Sequence, residues 1–273
     1  MAPVIALLTD FGTQDAYVGV MKGVILDIVR DVRVVDLTHA VGPQDLRAGA
    51  YVLWSAYRYF PDGTVFCAVV DPGVGSARRA LALRLAADGR RYAFVAPDNG
   101  LLTPLLDSAS LSAAVALENP RYRLPAPSAT FHGRDVFAPA AAHLAAGVPL
   151  EALGPALDPQ SLVRIDWPQP QRTPEGWHGC VLYVDRFGNL ITNLPGTAIA
   201  DGDWRVRVAQ ITIERIARTF ADVPEGSPVA YIGSSGLLEL GLRNGDAHAL
   251  WGVAVATPVA ATQRARDQGS RRD

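Results

Sequence analysis

Short apolar runs and segments of helical period alternate along the first half of the chain. Runs rich in β-branched residues predict strands, and apolar positions that recur every three to four residues predict amphipathic helices. The predicted strands are Val4–Leu8, Val32–Leu37, Thr64–Val70 and Tyr92–Val95, and the predicted helices are Tyr17–Ile28, Leu46–Tyr59 and Val136–Ala146. This alternation favours an α/β fold, with a mostly parallel sheet sandwiched by helices.

The composition changes near Trp167. Three prolines fall between residues 168 and 174, and proline continues neither a helix nor a central strand, so residues 167–176 are predicted to be a linker. Short strand-like runs separated by turn residues follow at Cys180–Val184, Leu190–Leu194, Arg205–Ile213, Pro228–Ile232 and Ala249–Ala256. The pattern predicts an α/β catalytic domain over residues 1–166, a smaller β-barrel-like domain over residues 177–258 and a disordered tail over residues 259–273.

Composition and charge narrow the class of protein. The 273 residues are 49% hydrophobic and carry a formal net charge of -2, so the sequence shows no basic footprint for nucleic acid or a membrane surface, and a small-molecule partner is expected. Cys67 and Cys180 lie too far apart for a CxxC metal site and are interpreted as free thiols. The first residues lack the basic region of a secretory signal, and we expect a cytoplasmic protein.

Ionisable side chains follow the predicted strands where glycine-rich loops begin. Asp71 and Arg78 flank one such loop, and His132 lies in a second glycine-containing segment. Ligands of α/β proteins collect at the carboxyl ends of strands. The three residues would supply an anion, a fixed cation and a group that titrates near neutrality, and we take them as the candidate catalytic centre.

Other ionisable residues are interpreted more simply. Lys22 is expected to be a solvated surface charge and Glu239 to lie on a solvated face. Four histidines are isolated in sequence and are interpreted as surface or hydrogen-bonded core groups: His39, His143, His178 and His248. No glycine-rich motif for nicotinamide or nucleoside triphosphate binding follows the first strand.

Six segments resemble the S-adenosylmethionine hydroxide adenosyltransferase family, which includes S-adenosylmethionine hydrolases that form adenosine and relatives of fluorinase and chlorinase. The segments are Leu8-Thr9-Asp10-Phe11-Gly12, Val70-Asp71-Pro72-Gly73-Val74-Gly75, Ala96-Pro97-Asp98-Asn99-Gly100, Phe131-His132-Gly133-Arg134-Asp135, Asp185-Arg186-Phe187-Gly188-Asn189 and Gly233-Ser234-Ser235-Gly236. They occur in order between residues 4 and 256, across both predicted domains.

The resemblance implies a set of substrate-binding residues. Asp10 would hold the ribose hydroxyls, since a carboxylate accepts two hydrogen bonds from a vicinal diol. Asp185 would pair with the methionine ammonium, Phe187 would stack on adenine, and Asn189 would hydrogen-bond it. Ser234 and Ser235 would bind the methionine carboxylate through their hydroxyl and main-chain N–H groups. Phe131 would also belong to the substrate-binding site.

The resemblance also implies the reaction, which is hydrolysis of S-adenosyl-L-methionine to adenosine and L-methionine. Water would attack ribose C5′ and methionine would leave as a neutral thioether, so no cofactor is expected. Arg78 would stabilise hydroxide-like charge, while either Asp71 or His132 would accept the proton. The salt bridge expected for Asp71 slightly favours His132 or a shared network as the acceptor.

The resemblance also bears on whether hydroxide or a halide is transferred. The fluorinase pattern has a tyrosine in place of Asp71 and a serine in place of Gly133. A carboxylate would repel a bound halide, so hydroxide transfer is preferred over halogenation.

The resemblance also implies a homotrimer with sites at subunit interfaces. The alternatives are a non-catalytic S-adenosylmethionine or adenosine sensor and a metal-dependent hydrolase with the ligands His132, Asp135, Asp71 and Asp98.

Overall fold

The computed structural model describes residues 2–199 and 203–263 of the chain. The chain divides between Trp167 and Pro168 into two compact units. The predicted end of the first domain, at residue 166, lies next to this division. The predicted disordered tail falls partly on residues 264–273, which lie outside the described residues.

The first unit is built on a six-stranded sheet. The strands are β1 Val4–Thr9, β2 Arg33–Thr38, β3 Val65–Val69, β4 Ala80–Ala87, β5 Arg90–Pro97 and β6 Ser110–Ala116. Their order across the sheet is β2-β1-β3-β5-β4-β6. The pairs β2–β1, β1–β3 and β3–β5 are parallel, whereas β4 is antiparallel to both of its neighbours. The prediction of a mostly parallel sheet is confirmed.

Helices cover both faces of this sheet: α1 Tyr17–Ile28, α2 Leu46–Ala56, α3 Thr103–Ser108 and α4 Ala138–Ala145. Leu53 of α2 and Leu105 of α3 are buried in the core of one face, and Met21 of α1 and Ala141 of α4 in the core of the other. Each fully buried large apolar side chain contributes about 1.5–3 kcal/mol. No helix in the described residues is both long and apolar enough to cross a membrane.

Two strands of the first unit, β4 and β6, were not among the predicted elements. Both are rich in alanine, a residue that favours helices and lacks the β-branched signal of a strand. β4 becomes a strand because it pairs along its length with β5 on one side and β6 on the other. Long-range pairing therefore overrides the local preference of this segment.

The second unit is a nearly closed, barrel-like sheet. Its strands are β7 Gln171–Thr173, β8 Gly176–Val184, β9 Leu190–Pro195, β10 Trp204–Val208, β11 Ile211–Ile213, β12 Ile216–Ala217, β13 Pro228–Ile232, β14 Leu237–Leu242 and β15 Pro258–Gln263. The order is β11-β10-β15-β8-β9-β14-β13-β12, with β7 beside β8. Strand β11 also contacts β13, which brings the two ends of the sheet together. The barrel-like prediction is confirmed.

Three local predictions in the second unit are wrong. The predicted linker contains β7 and the start of β8, because Thr173 to Gly176 form the turn of a hairpin. The predicted strand Ala249–Ala256 includes helix α5, Ala247–Trp251, whose first turn is capped by Asp246 and which ends at left-handed Gly252. Residues 259–263 of the predicted tail belong to β15, which pairs with both β8 and β10.

The two cysteines are free. Cys67 lies in β3 and is fully buried, and burial raises the pKa of its thiol to about 12. The protonated thiol acts as a small apolar side chain in the core.

Candidate active site

A salt bridge joins Asp71 and Arg78 at the two ends of the loop that follows β3. Arg78 Nε donates to Asp71 Oδ1 over 2.8 Å, and Arg78 Nη2 donates to Oδ2. The side chains are only 5% exposed for Asp71 and 10% for Arg78. The planar guanidinium therefore fixes the orientation of the carboxylate through two parallel hydrogen bonds.

Glycine allows this loop to lie against the segment just before the histidine. Gly75 has φ +79°, and a Cβ atom there would come within 2.7 Å of the Ala129 carbonyl oxygen. The Ser76 hydroxyl donates to the Gly73 carbonyl over 2.6 Å and accepts from the Arg78 main-chain N–H. The loop is thus held internally and delivers the arginine toward its partners.

His132 joins the pair through a hydrogen bond that fixes its tautomer. Arg78 Nη2 lies 2.9 Å from His132 Nδ1. A guanidinium can only donate, so Nδ1 must accept and the proton of the neutral ring lies on Nε2. No residue in the described part of the chain hydrogen-bonds Nε2, so this N–H is available to a ligand.

The surroundings of His132 favour its neutral form. Burial and the Arg78 guanidinium lower the pKa of His132, and Arg123 lowers it further. Arg123 Nε is buried without a hydrogen-bond partner among residues 2–199 and 203–263. Arg123 could not be found from the sequence, because it follows no predicted strand and stands in no glycine-rich motif.

A single π-helical turn, Gly133–Phe137, follows His132 and leads into α4. Such turns occur frequently at functional sites. Arg78 Cζ lies 5.2 Å from the centre of the Phe137 ring, which supports the guanidinium from one side. A Cβ atom at Gly133 would lie 3.2 Å from both Met21 Sδ and Phe11 Cε2, so a larger side chain requires these neighbours to move.

Asp10 and Phe131 belong to the same edge of the sheet as the Asp71–Arg78–His132 cluster. Asp10 Oδ2 accepts from the Gln44 main-chain N–H over 2.8 Å, and no described residue hydrogen-bonds Oδ1. The Phe131 ring lies 6.1 Å from Phe11 and 5.1 Å from Tyr17, between ring centres. These contacts join the loop that carries Asp10 to the segment that carries the histidine.

The carboxylates of the alternative metal site are each bound by an arginine. The pairs are Asp71 with Arg78, Asp98 with Arg79, and Asp135 with Arg134. No group of three or more His, Cys, Asp or Glu side chains in the described residues is arranged to hold a metal ion. The metal-dependent alternative therefore lacks its expected ligand set.

In the second unit, residues 185–189 form a tight turn between β8 and β9. Asp185 Oδ1 accepts from the main-chain N–H groups of Phe187 and Asn189, and Oδ2 accepts from Asn189 Nδ2, all over 2.8–2.9 Å. Gly188 has φ +82°, and a Cβ atom there would collide with Asp246. The turn fixes the Asp185 carboxylate and leaves Phe187 75% exposed.

The predicted carboxylate ligands lie in the turn between β13 and β14. The Gly236 main-chain N–H donates to the Gly233 carbonyl over 3.0 Å and closes the turn. The Ser235 hydroxyl is buried, with no hydrogen-bond partner in the described part of the chain, whereas Ser234 is exposed.

Glu239 differs from its prediction. It is 9% exposed, because β14 lies between β9 and β13, and it accepts a 2.7 Å hydrogen bond from the Tyr231 hydroxyl. Burial raises the pKa of its carboxyl group, and the nearby Asp185 charge adds to this effect. The expectation of a solvated face is wrong.

Two family models match this two-unit chain. The S-adenosylmethionine hydroxide adenosyltransferase N-terminal domain matches residues 5–154, and the C-terminal domain of the same family matches residues 179–260. The chain therefore belongs to the S-adenosylmethionine hydroxide adenosyltransferase family, which confirms the resemblance found in the sequence.

Individual relatives agree with this assignment. An (R)-S-adenosyl-L-methionine hydrolase from Thermus thermophilus is 49% identical, over 92% of this chain and 96% of its own. A fluorinase from an Actinoplanes species is 34% identical, over 87% of this chain and 90% of its own. The crystal structure of an uncharacterized conserved protein from Thermotoga maritima is 37% identical, with a TM-score of 0.89 over 95% of this chain and 100% of its own.

Proposed function

We propose that this protein hydrolyses S-adenosyl-L-methionine to adenosine and L-methionine. The observation that carries the proposal is the cluster of Asp71, Arg78 and His132, which lies at the carboxyl end of β3 within the family's first domain. The 49% identity to a relative named as a hydrolase supports the same activity.

The main requirement of the reaction is to position and activate the nucleophile. A bond forms between the water oxygen and ribose C5′, and the C5′–S bond breaks with its electron pair passing to sulfur. The sulfonium becomes a neutral thioether and needs no proton, so no general acid is required at the leaving group. The protein must hold one water molecule in line with the C5′–S bond and accept its proton.

The hydrogen bonds divide these tasks among the three residues. His132 cannot accept the proton at Nδ1 without losing Arg78, and its Nε2 already carries a proton. Each Asp71 oxygen has a second acceptor position beyond the one that Arg78 uses. We therefore assign Asp71 as the proton acceptor and His132 Nε2–H as a donor that orients the water, a reversal of the preference stated from the sequence. Arg78 stabilises the developing negative charge.

The remaining assignments follow the geometry of each unit. Oδ1 of Asp10 takes the ribose hydroxyls, because Gln44 engages only Oδ2. In the second unit the Asp185 turn meets the methionine ammonium and presents Phe187 to adenine. Phe131 contributes an aromatic side chain to the site, and Asn189 belongs to the Asp185 turn. Ser234 and Ser235 bind the methionine carboxylate.

Hydrolysis in ¹⁸O-labelled water tests the proposal directly. We expect equal amounts of adenosine and methionine, with label in the adenosine 5′-hydroxyl because water attacks carbon. Mass spectrometry of both products measures this, and Asp71→Asn serves as the matched slow variant. Stoichiometric binding of S-adenosylmethionine without adenosine release would instead support the sensor alternative, and label in methionine would contradict attack at C5′.

We also propose a homotrimer in which the second unit of one subunit completes the site of the next. Exposed apolar side chains support an association surface, since Val20 is 39% and Leu26 46% exposed on α1. We expect impaired Asp71→Asn and Asp185→Ala subunits to regain activity when co-expressed, because some mixed sites combine an intact Asp71 with an intact Asp185. Light scattering gives the subunit number, and a monomer without regained activity would contradict shared sites.

A further inference from the structure

A chain of polar contacts lies directly behind the Asp10 loop and has no part in the proposed chemistry. Thr9 Oγ1 lies 2.8 Å from His39 Nδ1, His39 Nε2 lies 3.0 Å from Asp36 Oδ1, and Asp36 Oδ2 lies 2.6 Å from Lys22 Nζ. We call these four residues, from β1, β2, α1 and the turn after β2, the His39 network. The contacts run from the core of the first unit to its surface.

Burial along the His39 network decreases toward the surface. Thr9 is fully buried and the His39 side chain is 4% exposed, whereas Lys22 and Asp36 are 33% and 43% exposed. Although partial burial opposes the shift, the Lys22 ammonium, which donates to the carboxylate, and the nearby His39 ring lower the pKa of Asp36. Lys22, the only lysine in the chain, was expected to be a solvated surface charge; it is partly exposed and pairs with Asp36.

The His39 network also binds the main chain of the loop that carries Asp10. The Phe11 N–H donates to Thr9 Oγ1 over 3.2 Å, and the Gly12 N–H donates to the His39 carbonyl oxygen over 2.8 Å. The Asp36 carboxylate can only accept, so the His39 proton lies on Nε2, which faces it. His39 Nδ1 then accepts from the Thr9 hydroxyl.

Outside these bonds, the loop is held by the Phe11 ring, which packs against Tyr17 and Phe131. Gly12 has φ +67° and no side chain to pack, and a Cβ atom there would meet no atom within 4 Å. The Asp10 side chain itself has one hydrogen bond, from the Gln44 main-chain N–H, among the described residues. The two main-chain bonds to Thr9 and His39 therefore act together with the Gln44 N–H to set where the Asp10 carboxylate points.

We propose that the His39 network positions the Asp10 carboxylate for the substrate's ribose diol, with Thr9 and His39 as positioning residues. The inference rests on the proposed function, in which Asp10 binds those hydroxyls. It assigns a role to a buried histidine and a lone lysine that touch no reacting atom. The network affects binding of the ribose and leaves the attack on C5′ to Asp71, Arg78 and His132.

A substrate comparison separates positioning from general destabilisation. With S-adenosylmethionine, Thr9→Val and His39→Ala are expected to raise KM about tenfold, the scale of one hydrogen bond to a charged group, and to change kcat less than about threefold. With the 2′,3′-dideoxy analogue the same variants should raise KM less than about twofold, because the contact they weaken is absent. Thr9→Ser keeps the hydroxyl and should behave as wild type.

His39→Asn is the second variant, chosen in case His39→Ala fails to fold. Its amide oxygen can occupy the place of Nδ1 and keep the Thr9 contact, while the contact with Asp36 is lost. We expect a KM for S-adenosylmethionine between those of wild type and Thr9→Val. Equal loss of kcat/KM for the natural substrate and the dideoxy analogue would overturn the positioning role.

Hydrogen exchange supplies a test that needs no turnover. Peptides containing Phe11 and Gly12 should exchange faster in Thr9→Val and His39→Ala than in wild type, while Thr9→Ser keeps the wild-type rate. Unchanged exchange would overturn the inference. Failure of the proposed function is seen separately, because wild-type protein would then release no adenosine from S-adenosylmethionine.

Discussion

Replacing Arg78 with methionine is expected to lower kcat by about 10³-fold, the upper range for loss of one preorganised donor to a developing oxyanion. Methionine keeps much of the arginine side chain's length and its packing on Phe137 but cannot donate to Asp71 or His132. The result is large because one guanidinium orients the proton acceptor and fixes the histidine tautomer at the same time. Single-turnover kinetics with S-adenosylmethionine measure the chemical step.

Stability distinguishes the catalytic role of Arg78 from its structural role. Arg78→Met leaves the Asp71 carboxylate, which is 5% exposed, without its cation, and breaking such a pair costs about 3–5 kcal/mol. Adding Asp71→Asn removes the stranded charge, so the double variant should recover most of the lost unfolding free energy but no activity. Arg78→Lys keeps the charge without the fork and should retain more activity than methionine. Recovery of activity in the double variant would contradict the assignment.

The candidate site was partly predictable from sequence, because some of its residues directly follow strands. Asp10 and Asp71 follow β1 and β3, which are adjacent and parallel, so their carboxylates had to emerge at the same edge of the sheet. His132 could be placed there only through the glycine motif around it and the family resemblance. Its segment is more than fifty residues from Asp71, and no local pattern specifies that the Arg78 guanidinium joins them.

Other features depend on contacts that no local pattern records. Asp98 also follows a strand, yet Arg79 and the Val163 main-chain N–H occupy its two oxygens, so it serves the fold. Glu239 looks solvated until β14 is placed inside the barrel-like sheet. His39 looks isolated in sequence because its partners come from β1, β2 and α1. In each case the role depends on how the surrounding strands and loops pack together, which the local sequence does not specify.

The pH dependence of kcat/KM is expected to show a fall on the acid side that lies below the ordinary range of histidine. Burial and Arg78 lower the pKa of His132, so the neutral ring persists as the pH falls through about 6.5, the usual histidine value. Activity should stay level there and decline only at lower pH, when protonation of Nδ1 breaks the hydrogen bond from Arg78. The same direction of shift makes the folded state lose stability as the pH falls through this range, because the unfolded chain binds the proton first.

Two amide substitutions decide whether His132 donates to the water or accepts its proton. His132→Gln can place an amide N–H near the position of Nε2 and should lose about tenfold in kcat, whereas His132→Asn keeps an acceptor for Arg78 but no donor toward the water and should lose about 10²-fold. The part of the acid-side fall that protonation of His132 causes should disappear in both variants. An amide cannot act as a base at neutral pH, so equal and larger losses in the two variants would show that the histidine takes the proton. If His132→Gln retains activity, Asp71 is the proton acceptor. This agrees with the hydrogen bond from Arg78 to His132 Nδ1, which leaves only the Nε2–H of the ring to face the water.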